Sequence, residues 1–346
     1  TLFRSKAMGI DLGTSTIKIY IKEEGIVLDE RNIIAIADKK NVIAVGNEAF
    51  EMYEKAPANI NVTYPVRNGV IADIANMQSL LNHLLKRIGK ETKLSGMSYV
   101  VAVPTDITDV EKRAFFDLIA NSSGKAKSIL VVEKPVADAL GAGLDVTNAR
   151  GVMTVNIGAD TTEISIISLG GIVLSKLIPI GGNKLDESIR QYVKKKYNLI
   201  IGDKTAEVIK KKLANAMPDD ENTMKAFGRN VVRGLPSQMD ISSNMVYESI
   251  KEYLYTIIDS IRIILERTPP EISSDIIESG IYITGGSANI KNLASLLHKE
   301  TDLTINICKD ASDSVILGLG RIMEEEELSS LAKDIKQNAS TLKSGD

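Results

Sequence analysis

The chain has 346 residues, 44% of them hydrophobic and 25% charged, which is enough apolar material for one large or two medium-sized cores and excludes a disordered or fibrous protein. Its 42 basic and 45 acidic side chains leave a net charge of −3, without the basic surplus that nucleic-acid binding requires. One cysteine, Cys308, and two histidines, His83 and His298, exclude an internal disulfide, a cysteine-built zinc site and almost all histidine chemistry, leaving carboxylates, hydroxyls and backbone for any catalysis.

The first residues, with Leu2 and Phe3 beside Arg4 and Lys6, lack the apolar core of a secretory signal, so a cytoplasmic protein is expected. Gly9 to Thr16 followed by Ile17 to Ile21 alternates apolar and polar residues around a glycine, predicting a hairpin. Met77, Leu80, Leu81, Leu84, Leu85 and Ile88 then fall on one helical face. Tyr99 to Val103 reads as a strand ended by Pro104, and Thr108-Asp109-Val110-Glu111 is a capping box that opens a second helix. About 145 residues after the first hairpin, Val155 to Thr162 and Glu163 to Ser168 repeat its plan, predicting a duplicated fold. The run Ile164 to Ser175 is among the longest without a charge, and its 12 residues fall short of the roughly 20 that span a bilayer. Met217 to Thr223 reads as a surface loop, and a long helix over Tyr247 to Leu265 must stop before Thr268-Pro269-Pro270. After Met323, Leu328, Leu331, Ala332 and Ile335 predict a frayed helix and a disordered end. Strands and helices alternate in both halves, so the expected class is α/β.

Three glycine-bearing turns carry the candidate chemistry: Asp11 to Thr16, Gly158 to Thr162, and Thr284-Gly285-Gly286-Ser287-Ala288 between a strand and a helix. Glycines let consecutive amides face an anion, hydroxyls add donors, and Asp holds magnesium or its waters. One such turn alone is more simply a tight turn; three in this order favour a nucleotide. The chain contains neither G-x-x-x-x-G-K-[ST] nor G-x-G-x-x-G, which removes the P-loop and dinucleotide-fold readings.

The order and spacing of these turns resemble the actin-like ATPases, and most closely the MreB family of bacterial actins. The likeness runs from about Met8 to Met323 and includes Gly69 to Asp73, Ser168 to Val173, Arg190 to Leu199, Gly202 to Lys210, Thr268 to Glu271 and Ile283 to Gly286. It implies two lobes, each with a duplicated ribonuclease-H-like core, around a nucleotide cleft. Lobe I would be 1–145 with 315–346 and a small subdomain at about 33–66. Lobe II would be 146–314 with a small subdomain at about 182–245. ATP or ADP would meet Thr14, Ser15 and Thr16 from one lobe and Ala159, Asp160 and Thr161 from the other. Glu207 and Lys210 would contact the nucleoside, Gly285, Gly286, Ser287 and Ala288 would wrap it, and Asp11 would hold Mg2+ through water. The resemblance also implies filaments, alone or with paralogues, at the inner face of the cytoplasmic membrane, serving cell shape with the cell-wall elongation machinery. Leu2 and Phe3, or Leu94 to Tyr99, would supply the membrane anchor.

Two departures bear on catalysis. Where the family reads D-I-G-G-G-T, this chain reads Asn156-Ile157-Gly158-Ala159-Asp160-Thr161; where it reads Glu-Glu-Pro, this chain reads Glu133-Lys134-Pro135. An amide thus replaces the metal-site acid, and an ammonium replaces the carboxylate that orients the attacking water. Weak or absent hydrolysis is expected, since phosphoryl transfer depends on that positioning. Lys134 is free to pair with a phosphate, with Asp160 or with Asp138, and Glu133 stands one residue from the missing glutamate.

Overall fold

The computed structural model describes residues 3, 6–218 and 222–334. The chain divides into two units, Thr1–Arg150 with Ile167–Val173 and Ser312–Asp346, and Gly151–Ile166 with Leu174–Ala311.

In the first unit a five-stranded sheet runs Ser128–Glu133, Ser98–Val103, Ala7–Leu12, Thr16–Ile21, Gly25–Arg31. Ala7–Leu12 pairs antiparallel with Thr16–Ile21 and parallel with Ser98–Val103. All six residues of Ser98–Val103 are buried, as expected of a central strand covered on both faces. One cover is the helix Ile74–Ile88, whose Met77, Leu80, Leu81, Leu84 and Leu85 share a core with Tyr99, Phe115, Leu118 and Ile119. The helix Asp109–Ala120 carries the last three, and the capping box at Thr108 and Glu111 starts it as the spacing predicts. The helices Lys134–Gly141 and Ser314–Glu324 cross closely at Gly141 and Gly318. A side chain at either glycine would strike the other helix's backbone, so this crossing fixes where Lys134 stands.

The tail departs from the expected frayed helix. Glu326–Leu331 is a 3-10 turn, Leu328 and Ala332 are buried, and Lys333 exchanges two 2.9 Å backbone hydrogen bonds with Val131. Pairing with the edge strand gives these backbone groups partners that an isolated helix end lacks. Ile335 and everything after it lie outside the described residues.

The second unit repeats the plan: its sheet runs Gly171–Ile178, Thr162–Ser168, Val152–Ile157, Ile281–Thr284, Ile305–Ile307. In each sheet the first strand in sequence is central, the second and third follow on one side, and two strands reached by long crossovers lie on the other. This is the duplication that the paired hairpins predict. A three-stranded sheet of Leu199–Ile200, Thr223–Asn230 and Pro236–Ser242 accompanies the helices Gly182–Tyr197, Asp203–Leu213 and Ser243–Glu266. The last helix ends two residues before Thr268, where the Thr-Pro-Pro signal requires.

Of the expected anchor residues, Phe3, Leu94, Met97 and Tyr99 are buried. Phe3 packs into the first unit with its carbonyl accepting from Lys22 Nζ at 3.0 Å, and Leu94, Met97 and Tyr99 belong to the core. Those side chains already gain by burial what a membrane would offer them. Leu2 and Arg4 lie outside the described residues. Among the described residues no helix is long and apolar enough to cross a membrane.

Candidate functional site

In the first unit the turn between Ala7–Leu12 and Thr16–Ile21 places Thr14, Ser15 and Thr16 at one end of the sheet's inner strands. Asn32 braces it, donating Nδ2 to the Gly13 carbonyl at 2.8 Å and its backbone N–H to the Ser15 carbonyl at 2.9 Å, while Arg31 reaches Ser15 Oγ at 3.0 Å. Asn32 is fully buried, and its Oδ1 has no partner among the described residues.

Asp11 stands at the end of the central strand. Burial pushes its carboxyl above the ordinary value, Lys134 and then Lys18 pull it back, and Asp29 and Asp313 push it up again. Lys18, its register neighbour, bonds Asp313 and lies 3.4 Å from Asp29. Burial draws the Lys18 ammonium down, but the bond to Asp313 and the two nearby carboxylates carry it above its ordinary value.

Lys134 opens the helix Lys134–Gly141, directly after the strand Ser128–Glu133. A cation at a helix N-terminus opposes the positive end of the helix dipole, so the position needs an anion nearby. Asp11 supplies one. Asp138, one turn on, accepts a short hydrogen bond from Ser314 Oγ instead. Glu133 occupies the cap position without a side-chain cap bond.

The second unit gathers the remaining residues. Asn156 and Thr284 are register partners in parallel strands, so the turn after Asn156 and the glycine pair after Thr284 emerge side by side. Gly285 has φ of +83°, and a Cβ there would lie 2.4 Å from the Ile157 carbonyl, so only glycine fits. The 158–161 turn closes through a 2.9 Å bond from Gly158 N–H to the Thr161 carbonyl. The start of the helix Gly182–Tyr197 docks on it. Gly182 and Asn183 donate backbone N–H groups to the carbonyls of Gly158 and Ala159, at 2.9 and 2.7 Å, and Asn183 Nδ2 bonds Asp160. A Cβ at Gly181 would meet both of those carbonyls at 2.6 Å.

Lys210 reaches this helix start, bonding the Gly182 carbonyl at 2.9 Å and Asp186 Oδ2 at 2.8 Å. Burial raises the Asp186 carboxyl despite Lys210, and its Oδ1 lacks a partner among the described residues. An ideal Cβ on Gly182 would lie 2.9 Å from Lys210 Nζ and 3.1 Å from Ser287 Oγ, so helix start, lysine and serine converge. Glu207 sits one turn before Lys210 and pairs with Lys211.

Of the expected residues, Asp11, Thr14, Ser15, Thr16 and Lys134 therefore cluster in the first unit. Asn156, Ala159, Asp160, Thr161, Glu207, Lys210, Gly285, Gly286, Ser287 and Ala288 belong to the second. Sequence reasoning missed Gly181, Gly182, Asn183 and Asp186. The Gly-Gly pair ahead of an amphipathic helix was the available signal for the first three; the partnership of Asp186 with Lys210 spans 24 residues and left none.

Two sheets of one strand order, each with a glycine-bearing turn beside its central strand, make this an α/β protein of the actin-like class. MreB5 of Spiroplasma citri bound to AMPPNP superposes with a TM-score of 0.89 at 32% identity, covering 94% of this chain and 98% of that one. A MamK double helical filament shares the fold, with a TM-score of 0.78 at 22% identity over 92% of this chain and 99% of its own. The sequence profile of the family described as MreB/Mbl protein matches residues 5–330. The cell shape-determining protein MreB of Escherichia coli K12 is 39% identical over 327 residues, 92% of this chain and 94% of that protein. Mbl of Bacillus subtilis 168 is 38% identical over 323 residues, 92% of this chain and 96% of that protein. The chain belongs to the MreB/Mbl family.

Proposed function

We propose that this chain binds ATP or ADP, hydrolyses ATP slowly or not at all, and assembles with itself or with paralogues into filaments for cell-shape determination. Their setting is the inner face of the cytoplasmic membrane, in company with the cell-wall elongation machinery. Support comes from relatives named as cell shape-determining proteins and from the AMPPNP and ADP bound to the Spiroplasma citri protein.

The observation that carries the slow-hydrolysis reading is that Lys134 stands at the first position of the helix Lys134–Gly141, near enough to Asp11 for its charge to draw that carboxyl down. An ammonium held there attracts phosphate oxygens, but it cannot accept a proton or orient a water through a lone pair. Loss of a positioning group typically costs about 100 to 10,000-fold in rate. In this reading Thr14, Ser15 and Thr16 and the amides of Ala159, Asp160 and Thr161 bind phosphate. Lys210, oriented by Asp186, and Glu207 meet the nucleoside, and Gly285 to Ala288 pass close beside it.

Among the described residues no three His, Cys, Asp or Glu side chains gather as metal ligands. Magnesium needs no such cage, since it commonly takes one or two carboxylates, phosphate oxygens and waters. Asp11 fits that role through water, and the ion would neutralise phosphate charge when bound.

Self-association finds support in the hairpin of Thr223–Asn230 and Pro236–Ser242, whose Phe227, Val232 and Leu235 are 64%, 78% and 60% exposed. Apolar side chains grouped this way favour burial against protein.

The test is single-turnover ATP hydrolysis by the purified chain, with electron microscopy of the same samples. Slow turnover with filaments is expected. Turnover at the rate of E. coli MreB would establish an active ATPase, with Glu133 the candidate substitute. Absence of filaments alone, with shortened filaments when a paralogue is added, would make the chain a capping or tuning partner.

A further inference from the structure

The strand Gly25–Arg31 ends against the first glycine-bearing turn. Thr16, at the end of that turn, is the register partner of Arg31, so Asn32 arrives beside the turn itself. Asn32 donates Nδ2 to the Gly13 carbonyl and its backbone N–H to the Ser15 carbonyl, at 2.8 and 2.9 Å. A trans peptide points its N–H opposite to its C=O, and no cis bond occurs among the described residues, so the amides of Thr14 and Thr16 face away from Asn32. Because Asn32 is fully buried, that orientation is fixed from inside the fold.

Beyond Asn32 the chain enters a small sheet of Asn41–Val45, Ile34–Ala37 and Ile60–Thr63, which carries the helix Asn47–Met52. This helix holds Arg31 in two ways. The Arg31 backbone N–H donates to Asn47 Oδ1 at 3.2 Å, and the guanidinium lies over the Phe50 ring, 4.2 Å from its centroid. Phe50 is itself anchored, packing against Ile33, Ala35, Ala44 and Ala49 and stacking on Tyr53 at 6.3 Å. A planar cation seated on a ring gives up less freedom for each hydrogen bond it makes. From that seat Arg31 Nη1 donates to Ser15 Oγ at 3.0 Å.

That bond decides what Ser15 can do. A hydroxyl has one proton and two lone pairs, so accepting from Arg31 leaves the proton to be given elsewhere. The adjacent positive charge polarises the hydroxyl and strengthens it as a donor to an anion. Arg31 stays charged throughout the physiological range, so the effect does not titrate.

We propose that Arg31 is a positioning residue for nucleotide phosphate: seated by Phe50 and Asn47, it holds Ser15 so that the hydroxyl proton and the amides of Thr14 and Thr16 meet one phosphate group together. This rests on the nucleotide reading above and adds to it the residue that prepares the turn. Ser15 touches the phosphate, Arg31 acts through Ser15, and the helix Asn47–Met52 acts through Arg31.

The experiment is calorimetric titration of the full chain with AMPPNP. Arg31→Ala should weaken binding about tenfold, the usual worth of a hydrogen bond to a charged group. Arg31→Lys, which keeps a charged donor but loses the planar stack, should restore part of that loss, and Phe50→Leu should weaken binding several-fold. Arg113→Ala, which removes equal charge from an exposed helix position of the same unit, should leave affinity unchanged. The deciding comparison is the double variant: Ser15→Ala with Arg31→Ala should lose no more than the larger single loss, because Arg31 then has nothing to hold. Losses that add would put Arg31 on the phosphate directly and overturn the positioning role. Arg31→Ala binding within about twofold of a parent that does bind AMPPNP would overturn it as well and leave the nucleotide reading standing. A parent that does not bind AMPPNP would overturn both. Thermal unfolding without ligand separates lost affinity from lost fold, and Arg31→Gln carries the same comparison should Arg31→Ala fail to fold.

Discussion

Asp11 shows how a candidate site residue is kept at the expense of stability. Its burial outweighs the attraction of Lys134 and Lys18, because the carboxyl remains raised with both cations present. Between the ordinary carboxylate value and its raised folded value, the native state binds the extra proton, so this group's contribution makes stability fall as pH rises. Asp11→Asn should therefore be more stable than the parent at pH 7, with the gap closing as pH falls towards 4. Urea titrations across that range check it, and an Asn variant less stable than the parent at neutral pH would contradict it. Lys210 behaves in the opposite sense. It is the ion-pair partner of a buried carboxylate, so Lys210→Met should cost about 2–4 kcal/mol, most of it recovered by adding Asp186→Asn. At this scale the sequence displayed residue types and turn glycines well. It did not display that the charge of Lys134 acts on Asp11, 123 positions away, or that Asp186 holds Lys210, because single-chain spacing carries no record of which distant segments fold together.

Elements were legible where local chemistry decides them. The Thr108 capping box is present with both of its bonds, at 3.2 Å from Glu111 N–H to Thr108 Oγ1 and 2.7 Å from Thr108 N–H to the Glu111 carboxylate. Thr108→Ala should cost about 1 kcal/mol, which in a chain of this size lowers Tm by roughly 2–4 °C, readable by calorimetry. The leucine face of Ile74–Ile88 and the Pro-Pro stop were equally local. The tail after Met323 was not: its side-chain spacing suits a helix, but the backbone bonds between Lys333 and Val131 outcompete it. Nor did apolarity at Leu94 to Tyr99 tell surface from core, whereas the exposed apolar hairpin at 227–235 gave no sequence signal because strand alternation there resembles that of a buried pair. That hairpin offers a clean element-scale test. Val232→Glu with Leu235→Glu should leave Tm within about 1 °C, as surface changes usually do, while reducing pelleting of assembled protein several-fold. Unchanged pelleting would remove the hairpin from the assembly contact.

At the scale of the molecule, two sheets with one strand order were foreseen from two hairpins about 145 residues apart, because a hairpin with its glycine turn is a local signature that survives duplication. The return of Ile167–Val173 to the first unit, through bonds from Leu169 and Gly170 N–H groups to the carbonyls of Asn148 and Val146, was invisible, being a backbone pairing with no side-chain pattern. Binding and chemistry separate at this scale. A ligand that binds only the folded state stabilises it by about 2.7 kcal/mol at 100 times its Kd, whichever residues later break a bond. AMPPNP should therefore raise Tm in the parent and in a Lys134→Glu, Asn156→Asp variant alike. With the slow hydrolysis proposed above, ATP should protect the parent as durably as AMPPNP. In the variant, where two acids stand again at the family's positions, single-turnover hydrolysis should accelerate about 100-fold or more, and ATP protection should decay to the level given by ADP. Equal decay in both proteins would show that Lys134 and Asn156 do not set the rate, and a Tm unmoved by every nucleotide would remove nucleotide binding itself.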